Sequence, residues 1–286
     1  MTEHPPGAAR LAGLRVGGLC LLLAALALLA VGMPRSARAG EILLVDIDGS
    51  INPASADYLI GAIRQAEASG AEAVLIELDT PGGLVSSTQD IIQAMLNATV
   101  PTIVFVSPRG ATATSAGTFI TLAANVAAMM PGTSIGAAHP VSLFGGSPPP
   151  ANEGEGEAGE TPGAAQDVVG QKMENYLAAY VESIAKQRNR NVEWAQEAVR
   201  TSQAVTSEKA LELGVIDLVA NSRVELLEAI EGREVEVGGE KRKLALVGHV
   251  LVPVEKTLVQ SIFDFLTDPN LAFILFAIGA AGLYME

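Results

Sequence analysis

The chain has 286 residues, 49% of them hydrophobic, and a formal net charge of −14, which suffices to bury a sizeable core in one large domain with appendages. With a pI near 4.7 and 4% aromatic residues, it offers neither a basic stripe to neutralise phosphates nor platforms for base stacking, so nucleic acid is not an expected partner. Its one cysteine, Cys20, lies inside an N-terminal apolar run; no disulfide, thiol nucleophile or cysteine metal ligand is available beyond it.

Residues 1–39 read as an export signal: Arg10 and Arg15 supply positive charge, Val16 to Val31 is an apolar run, and Ala37-Arg-Ala39 is a small-x-small cleavage site. The run is slightly long for a cleaved segment, so a signal peptide and an N-terminal anchor both fit. Either way, the domain that follows is expected on the extracytoplasmic side of the membrane.

Ile42 to Ile47 predicts a first strand, and Pro53 to Ala68 a helix with Tyr58, Leu59, Ala62, Ile63 and Ala66 on one face, ended by Gly70. Val74 to Leu78 reads as a buried strand, Ser86 to Asn97 as a helix capped by serine, and Thr102 to Val106 as another strand. Successive units of this kind predict a parallel sheet. Thr114 to Ala124 is the next helix, and Val126 to Met130 and Thr133 to Ala137 are short strands.

The stretch 145–167 holds Pro148-Pro-Pro150 and alternating Gly and Glu with no apolar face. It is expected to remain a mobile, solvated loop rather than a lid. A helix follows with Val169, Met173, Tyr176, Leu177, Tyr180 and Ile184 on its apolar side. Thr206 to Asp217 predicts a helix, a stop at Gly214 and a strand.

Together, 40–220 form the main domain and 221–266 an appended unit. In the latter, Val224 to Ile230 is a short helix, and Arg233 to Val237 and Lys241 to Leu246 form a peripheral hairpin across Gly238-Gly239. The tail 267–286 contains Leu271 to Tyr284, apolar but shorter than the roughly 20 residues a bilayer core demands. An interfacial segment, a truncated transmembrane segment and a buried terminal helix all fit it.

The chemistry concentrates in two short stretches. Ser115 follows the apolar run at Thr102 to Val106, is flanked by small residues and opens a helix, a setting that exposes a hydroxyl at a tight strand-to-helix junction. Gly82 and Gly83 follow the strand at Val74 to Leu78, where bare main-chain N–H groups face a developing negative charge. The plainer alternative is that Ser115 merely caps its helix.

A serine needs a base. Lys172 stands at the edge of its helix's apolar face, where desolvation favours a neutral amine; the alternative is a solvated lysine. His139, at a strand end, competes if Asp167 or Asp217 comes close enough to orient it. His139 and His249 are too far apart in sequence for a recognisable zinc spacing, and Asp46, Asp48 and Asp79 at strand ends read as capping or solvated groups, so no metal site is assigned.

Pro81-Gly-Gly83, then Ser115-Ala-Gly117 one β-α unit later, then Pro131-Gly-Thr-Ser-Ile-Gly-Ala137 resemble the Clp-fold serine proteases, and among them the membrane-bound NfeD branch, partners of stomatin operons. The resemblance covers Ile42 to Val219. It implies an α/β fold of the Clp/crotonase type, a β-α superhelix with parallel sheets, and a serine endopeptidase with Ser115 as nucleophile. Gly83 and Ala116 would then donate N–H groups to the oxyanion, beside Gly82. Gln171-Lys-Met-Glu-Asn-Tyr176 is similar to the helix carrying the dyad lysine of that branch, which favours Lys172 over His139.

The resemblance further implies no cofactor, a peptide substrate with an apolar segment from a stomatin-like membrane protein, membrane association and a homodimer or larger assembly. Longer members of the branch continue into several membrane helices and a small β-barrel domain. Two other readings share the same backbone: a crotonase-like thioester-binding enzyme and a non-catalytic scaffold for a membrane partner.

Overall fold

The computed structural model describes residues 40–140, 162–267 and 269–285; the export-signal segment and most of the Pro/Gly/Glu stretch lie outside them. Its centre is a six-stranded sheet in the order β11-β1-β2-β3-β5-β8. The strands are β1 (Glu41–Asp48), β2 (Ala73–Asp79), β3 (Thr102–Val106), β5 (Val126–Met129), β8 (Leu218–Val219) and β11 (Val250–Pro253). Every pairing in it is parallel. Strands covered on both faces need apolar side chains at every position, and β3 is buried along its whole length.

A smaller sheet, β4 (Thr112–Thr114), β6 (Ser134–Gly136) and β7 (Ala204–Thr206), stands beside the first. The two are stitched by Thr80, whose N–H donates to the Thr112 carbonyl at 2.7 Å and whose carbonyl accepts from the Thr114 N–H at 3.0 Å. The chain therefore has the α/β architecture with parallel strands that its sequence predicts.

The first helix, α1 (Pro53–Ser69), starts from a capping box between Asn52 and Ser55 with proline at its first position, and it ends on Gly70 at φ 69°. Helix α2 (Val85–Asn97) has Leu84, not a serine, at its N-cap, and no side chain caps it. The expected serine cap is thus corrected. The Leu84 N–H is instead taken by the Ile51 carbonyl at 2.8 Å, so the chain enters the helix one residue earlier. Helix α3 (Ala116–Ala123) follows β4, α4 (Pro162–Gln187) packs against it, and α5 (Val192–Arg200) packs against α4. Residues 162–167, expected to be loop, already belong to α4.

One face of the main sheet is covered by these helices, with Leu43, Val45, Ile76, Val104, Ile91 and Ile120 in a single core. The other face carries a second core in which Leu75, Ile103 and Phe105 meet Leu226 of helix α7 (Arg223–Ala229) and Val235 and Val237 of the hairpin β9 (Glu234–Val237) and β10 (Glu240–Lys243). The hairpin is therefore not peripheral: it seals a sheet face that would otherwise be wet. The strand expected within Val215 to Asp217 begins instead at Leu218, after helix α6 (Ser207–Glu212), because Asp217 is held by arginines.

The C-terminal helices are α8 (Leu258–Thr267) and α9 (Pro269–Met285). Phe276 is 74% exposed and Leu283 78%, which corrects the reading of the tail as a buried helix. Among the described residues no helix is long and apolar enough to cross a membrane.

Arg190 anchors the end of α3. Its guanidinium donates to the carbonyls of Leu122 (3.2 Å), Ala124 (3.1 Å) and Val215 (3.3 Å) and to the Asp217 carboxylate (2.9 Å), while Arg188 Nε donates to the Ala123 carbonyl at 2.8 Å. The carbonyls that a helix leaves unsatisfied at its C-terminus are thus met by two cations, the sign its dipole favours. Asp217→Ala leaves buried Arg190 without its counter-charge and should destabilise the fold by about 3–5 kcal/mol; denaturant unfolding within 1 kcal/mol of the parent, on the order of a surface substitution, would contradict this role.

Asp46 sits opposite Glu77 in the β1–β2 register, and Glu77 forms a two-pronged pair with Arg223 at 2.5 and 2.6 Å. Desolvation, followed by the neighbouring Glu77 and Asp48 carboxylates, raises the Asp46 pKa above its ordinary 3.8. A raised acid binds its proton more tightly in the folded chain, so Asp46 costs stability as pH rises from 3.8 through the raised value. Asp46→Asn should therefore raise the melting temperature at neutral pH, with the gain vanishing in acid, as calorimetry across pH would register.

Candidate active site

Ser115 occupies the junction between β4 and α3 with φ 52° and ψ −109°, a conformation that residues other than glycine rarely adopt and that costs on the order of 1–3 kcal/mol. Its side chain makes no cap hydrogen bond to the helix it precedes. The capping alternative thus fails, and the strained turn aims the residue at a cleft.

Gly82 and Gly83 approach this turn from the end of β2. A Cβ on Gly82 would lie 2.9 Å from the Ser115 Cβ, and one on Gly83 would lie 2.0 Å from the Ile51 carbonyl oxygen. Neither position has room for a side chain. The Ile51 N–H donates to the Gly82 carbonyl and the Ile51 carbonyl accepts from Leu84, each at 2.8 Å, forming a parallel bridge with Gly83 at its centre. In such a bridge the central residue's own peptide groups point away from the partner strand, so the Gly83 N–H is not spent on Ile51, and Gly83 lines the cleft. Ala116 contributes the first N–H of α3, one of the donors that a helix start leaves unpaired.

The cleft has a volume of about 280 Å³ and is lined by Gly83, Ser115, Ala116, Phe119, Ala138 and Pro140 from the sheet side and by Val169, Gly170, Met173, Leu177 and Tyr180 from α4. Thr88 and Gln89 of α2 close its remaining wall. The rings of Phe119 and Tyr180 stack at 6.2 Å, and Tyr180 stacks on Tyr176 at the same distance. Burial, and then the adjacent Tyr176, push the Tyr180 phenol up, which keeps it neutral. Gln89 donates to the Tyr176 hydroxyl at 2.5 Å, joining α2 to α4 at the cleft's edge. A larger groove of about 500 Å³ runs between α1 and α2 past Asp57, Arg64, Glu67 and Asp90; it shares no lining residue with the Ser115 cleft.

The two candidate bases are placed differently. Lys172 is exposed on α4 and does not line the cleft, although its neighbours Gly170 and Met173 do. His139 is half-buried between two lining residues, Ala138 and Pro140. Its Nδ1 is 2.9 Å from the Val199 carbonyl on α5, so the ring turns toward that helix and has a main-chain rather than a carboxylate partner. Asp217 is committed to Arg190, Arg233 and the Ala127 N–H, and the side chain of Asp167 lies outside the described residues. Among the described residues no group of three or more His, Cys, Asp or Glu is placed to hold a metal ion.

Phe119, Thr88 and Gln89 were not singled out by the sequence reading. Phe119 follows Ser115 by four residues, one helical turn, and that spacing is the signal that places it beside the serine.

A family model described as the NfeD1b N-terminal domain matches residues 41–237, more than half of the chain. The chain belongs to this family. Membrane-bound protease PH1510 of Pyrococcus horikoshii is 33% identical over 261 residues, which cover 91% of this chain and 55% of that protein. The chain spans about half the length of the curated relatives it matches. Among solved structures, the 1510-N membrane-bound stomatin-specific protease as a lysine-to-alanine mutant in complex with a substrate peptide aligns with a TM-score of 0.68 and 32% identity, over 80% of this chain and 99% of that one. A serine-to-alanine mutant of the same protease aligns with a TM-score of 0.65 and 34% identity, over 77% and 100%.

Within this family's fold, Tyr176 fastens the cleft wall. Tyr176→Phe keeps the stacked ring and removes the bond from Gln89, so backbone amides over 169–176 should exchange faster; exchange at the parent's rate would show that the bond holds nothing in place.

Proposed function

We propose that the chain is a membrane-associated serine endopeptidase in which Ser115 forms an acyl-enzyme. The observation that carries this reading is the strained, uncapped Ser115 turn on the floor of an apolar cleft. The hydroxyl oxygen attacks the carbonyl of a bound peptide while a base takes its proton. The oxyanion that forms is held by the N–H groups of Gly83 and Ala116, the two main-chain donors beside the serine. The base then protonates the leaving amine, and water releases the acyl group by the same steps in reverse.

Lys172 is that base. It is exposed on α4 in the stretch between Gly170 and Met173, both of which line the cleft. The related protease was solved with a lysine and with a serine replaced by alanine, the same two residue types as this dyad. His139 has the weaker claim, because its ring serves α5. The walls of Phe119, Leu177 and Met173 suit an apolar peptide segment, and by analogy with the stomatin-specific relative the substrate is a stomatin-like membrane protein. The domain acts on the extracytoplasmic side as a homodimer; an export reporter fused after Val219 and a sedimentation measurement test these two points.

Ser115→Ala and Lys172→Ala should each lower turnover of an apolar peptide by roughly 10³-fold or more, and the double mutant should be scarcely worse than either, since nucleophile and base act as one unit. His139→Ala should have a much smaller effect. Near-parent turnover of Lys172→Ala together with loss in His139→Ala would replace the dyad with a histidine base. Equal turnover by Ser115→Ala and the parent would remove Ser115 as the nucleophile, whereas a parent that turns over no peptide would leave a scaffold or a thioester-binding enzyme as the function.

A further inference from the structure

Thr118 is fully buried one turn into α3, and every polar contact it makes with other segments converges on the Ser115 turn. Its Oγ1 accepts the Gly136 N–H at 3.1 Å and lies 2.9 Å from both the Ala113 and the Gly136 carbonyl oxygens. A hydroxyl has one proton to donate and two lone pairs, so it serves the N–H and one carbonyl at a time. Its main-chain N–H donates to the Ser115 carbonyl at 3.0 Å, and the Ser115 N–H donates to the Gly136 carbonyl, also at 3.0 Å.

Both main-chain polar groups of Ser115 are therefore held either by Thr118 or by the residue that Thr118 holds. Gly136, at φ 131°, cannot be replaced by a better anchor: a Cβ there would lie 2.2 Å from the Gln203 carbonyl oxygen. The turn also receives nothing from its own side chain, which makes no cap bond, or from Gly82, which has none. A strained conformation persists only where its surroundings over-determine it, and the Thr118 hydroxyl is the buried side-chain group that ties the end of β4 to the end of β6 across it.

We propose that Thr118 is a positioning residue: its hydroxyl fixes the Ser115 backbone in the strained turn and so sets the direction of the Ser115 hydroxyl into the cleft. The inference rests on Ser115 being the nucleophile. Thr118→Val keeps the shape and removes the hydroxyl, while Thr118→Ser keeps the hydroxyl and removes the methyl.

The test is the rate at which a fluorophosphonate probe labels Ser115, located by peptide mapping, alongside kcat and KM for an apolar peptide and the melting temperature. Labelling and kcat should fall by about 10²-fold in Thr118→Val, the scale of a 1 Å misplacement, with KM little changed, and Thr118→Ser should stay within a few-fold of the parent. If Thr118→Val does not fold, Thr118→Ala against Thr118→Ser reads the same contrast. A parent chain that is never labelled at Ser115 overturns the nucleophile and this inference together. A labelled parent with Thr118→Val labelled equally fast, or with Thr118→Ser as slow as the hydroxyl-free variant, overturns the inference alone.

Discussion

Main-chain segments meet around Ser115 more closely than side chains permit, and the rest of the architecture is arranged to hold them there. Gly83 lies against Ile51, Gly82 against Ser115 itself and Gly136 against Gln203, each within a distance that a Cβ would violate. These contacts draw the ends of β1, β2, β4 and β6 to a single point. The strain at Ser115 is sustained because the short helix that follows is fixed at both ends: Thr118 and Gly136 at the start, Arg188 and Arg190 on the carbonyls at its finish. Arg190 is in turn neutralised by Asp217, where the chain enters β8. A parallel sheet buried on both faces supplies the stiffness that makes such a junction affordable.

The cleft is a consequence of the same packing. Helix α4 lays its inner side against α3 and α5 in the core, where Leu177, Val181 and Ile184 are buried. Toward its N-terminal half the helix leaves the core, and Val169, Met173 and Tyr176 become exposed around the Ser115 cleft. An apolar rim on a chain of net charge −14 is a marked local departure, of the kind that signals a binding surface. The ladder of Phe119, Tyr180 and Tyr176 continues the core into that rim without a break.

Much of this was legible in the residue order. The runs at Ile42, Val74, Thr102 and Val126 are apolar at nearly every position, and short apolar runs separated by amphipathic stretches admit few folds other than a parallel α/β sheet. Ser115 and the glycine pair were legible because glycine without a helix or hairpin to explain it implies close main-chain approach. What the order hid depends on distant partners. Val250 to Pro253 is a four-residue edge strand whose only local sign is a brief apolar run, and it becomes a strand because β1 has a free edge. The hairpin's valines looked like ordinary alternation until the second sheet face required a cover. Arg190 sits in a stretch that reads as solvated, Gln187-Arg-Asn-Arg-Asn191, yet it is among the most buried cations; no pattern along the chain encodes that. Lys172 borders a helix face that periodicity marks as apolar, yet at that level the face, with Val169, Met173 and Tyr176, is open to solvent, because burial depends on what packs opposite and not on the spacing alone.

The proposed chemistry of the cleft turns on a covalent bond between Ser115 and the acyl half of a substrate. The decisive measurement is a rapid acid quench of the chain with an apolar peptide ester, followed by mass spectrometry of the digested protein. An adduct of the acyl mass on the peptide containing Ser115, formed before steady-state product and lost on further incubation, is the result expected. Hydrolysis with no adduct, or with the adduct on another residue, would contradict the assignment of this serine as the nucleophile.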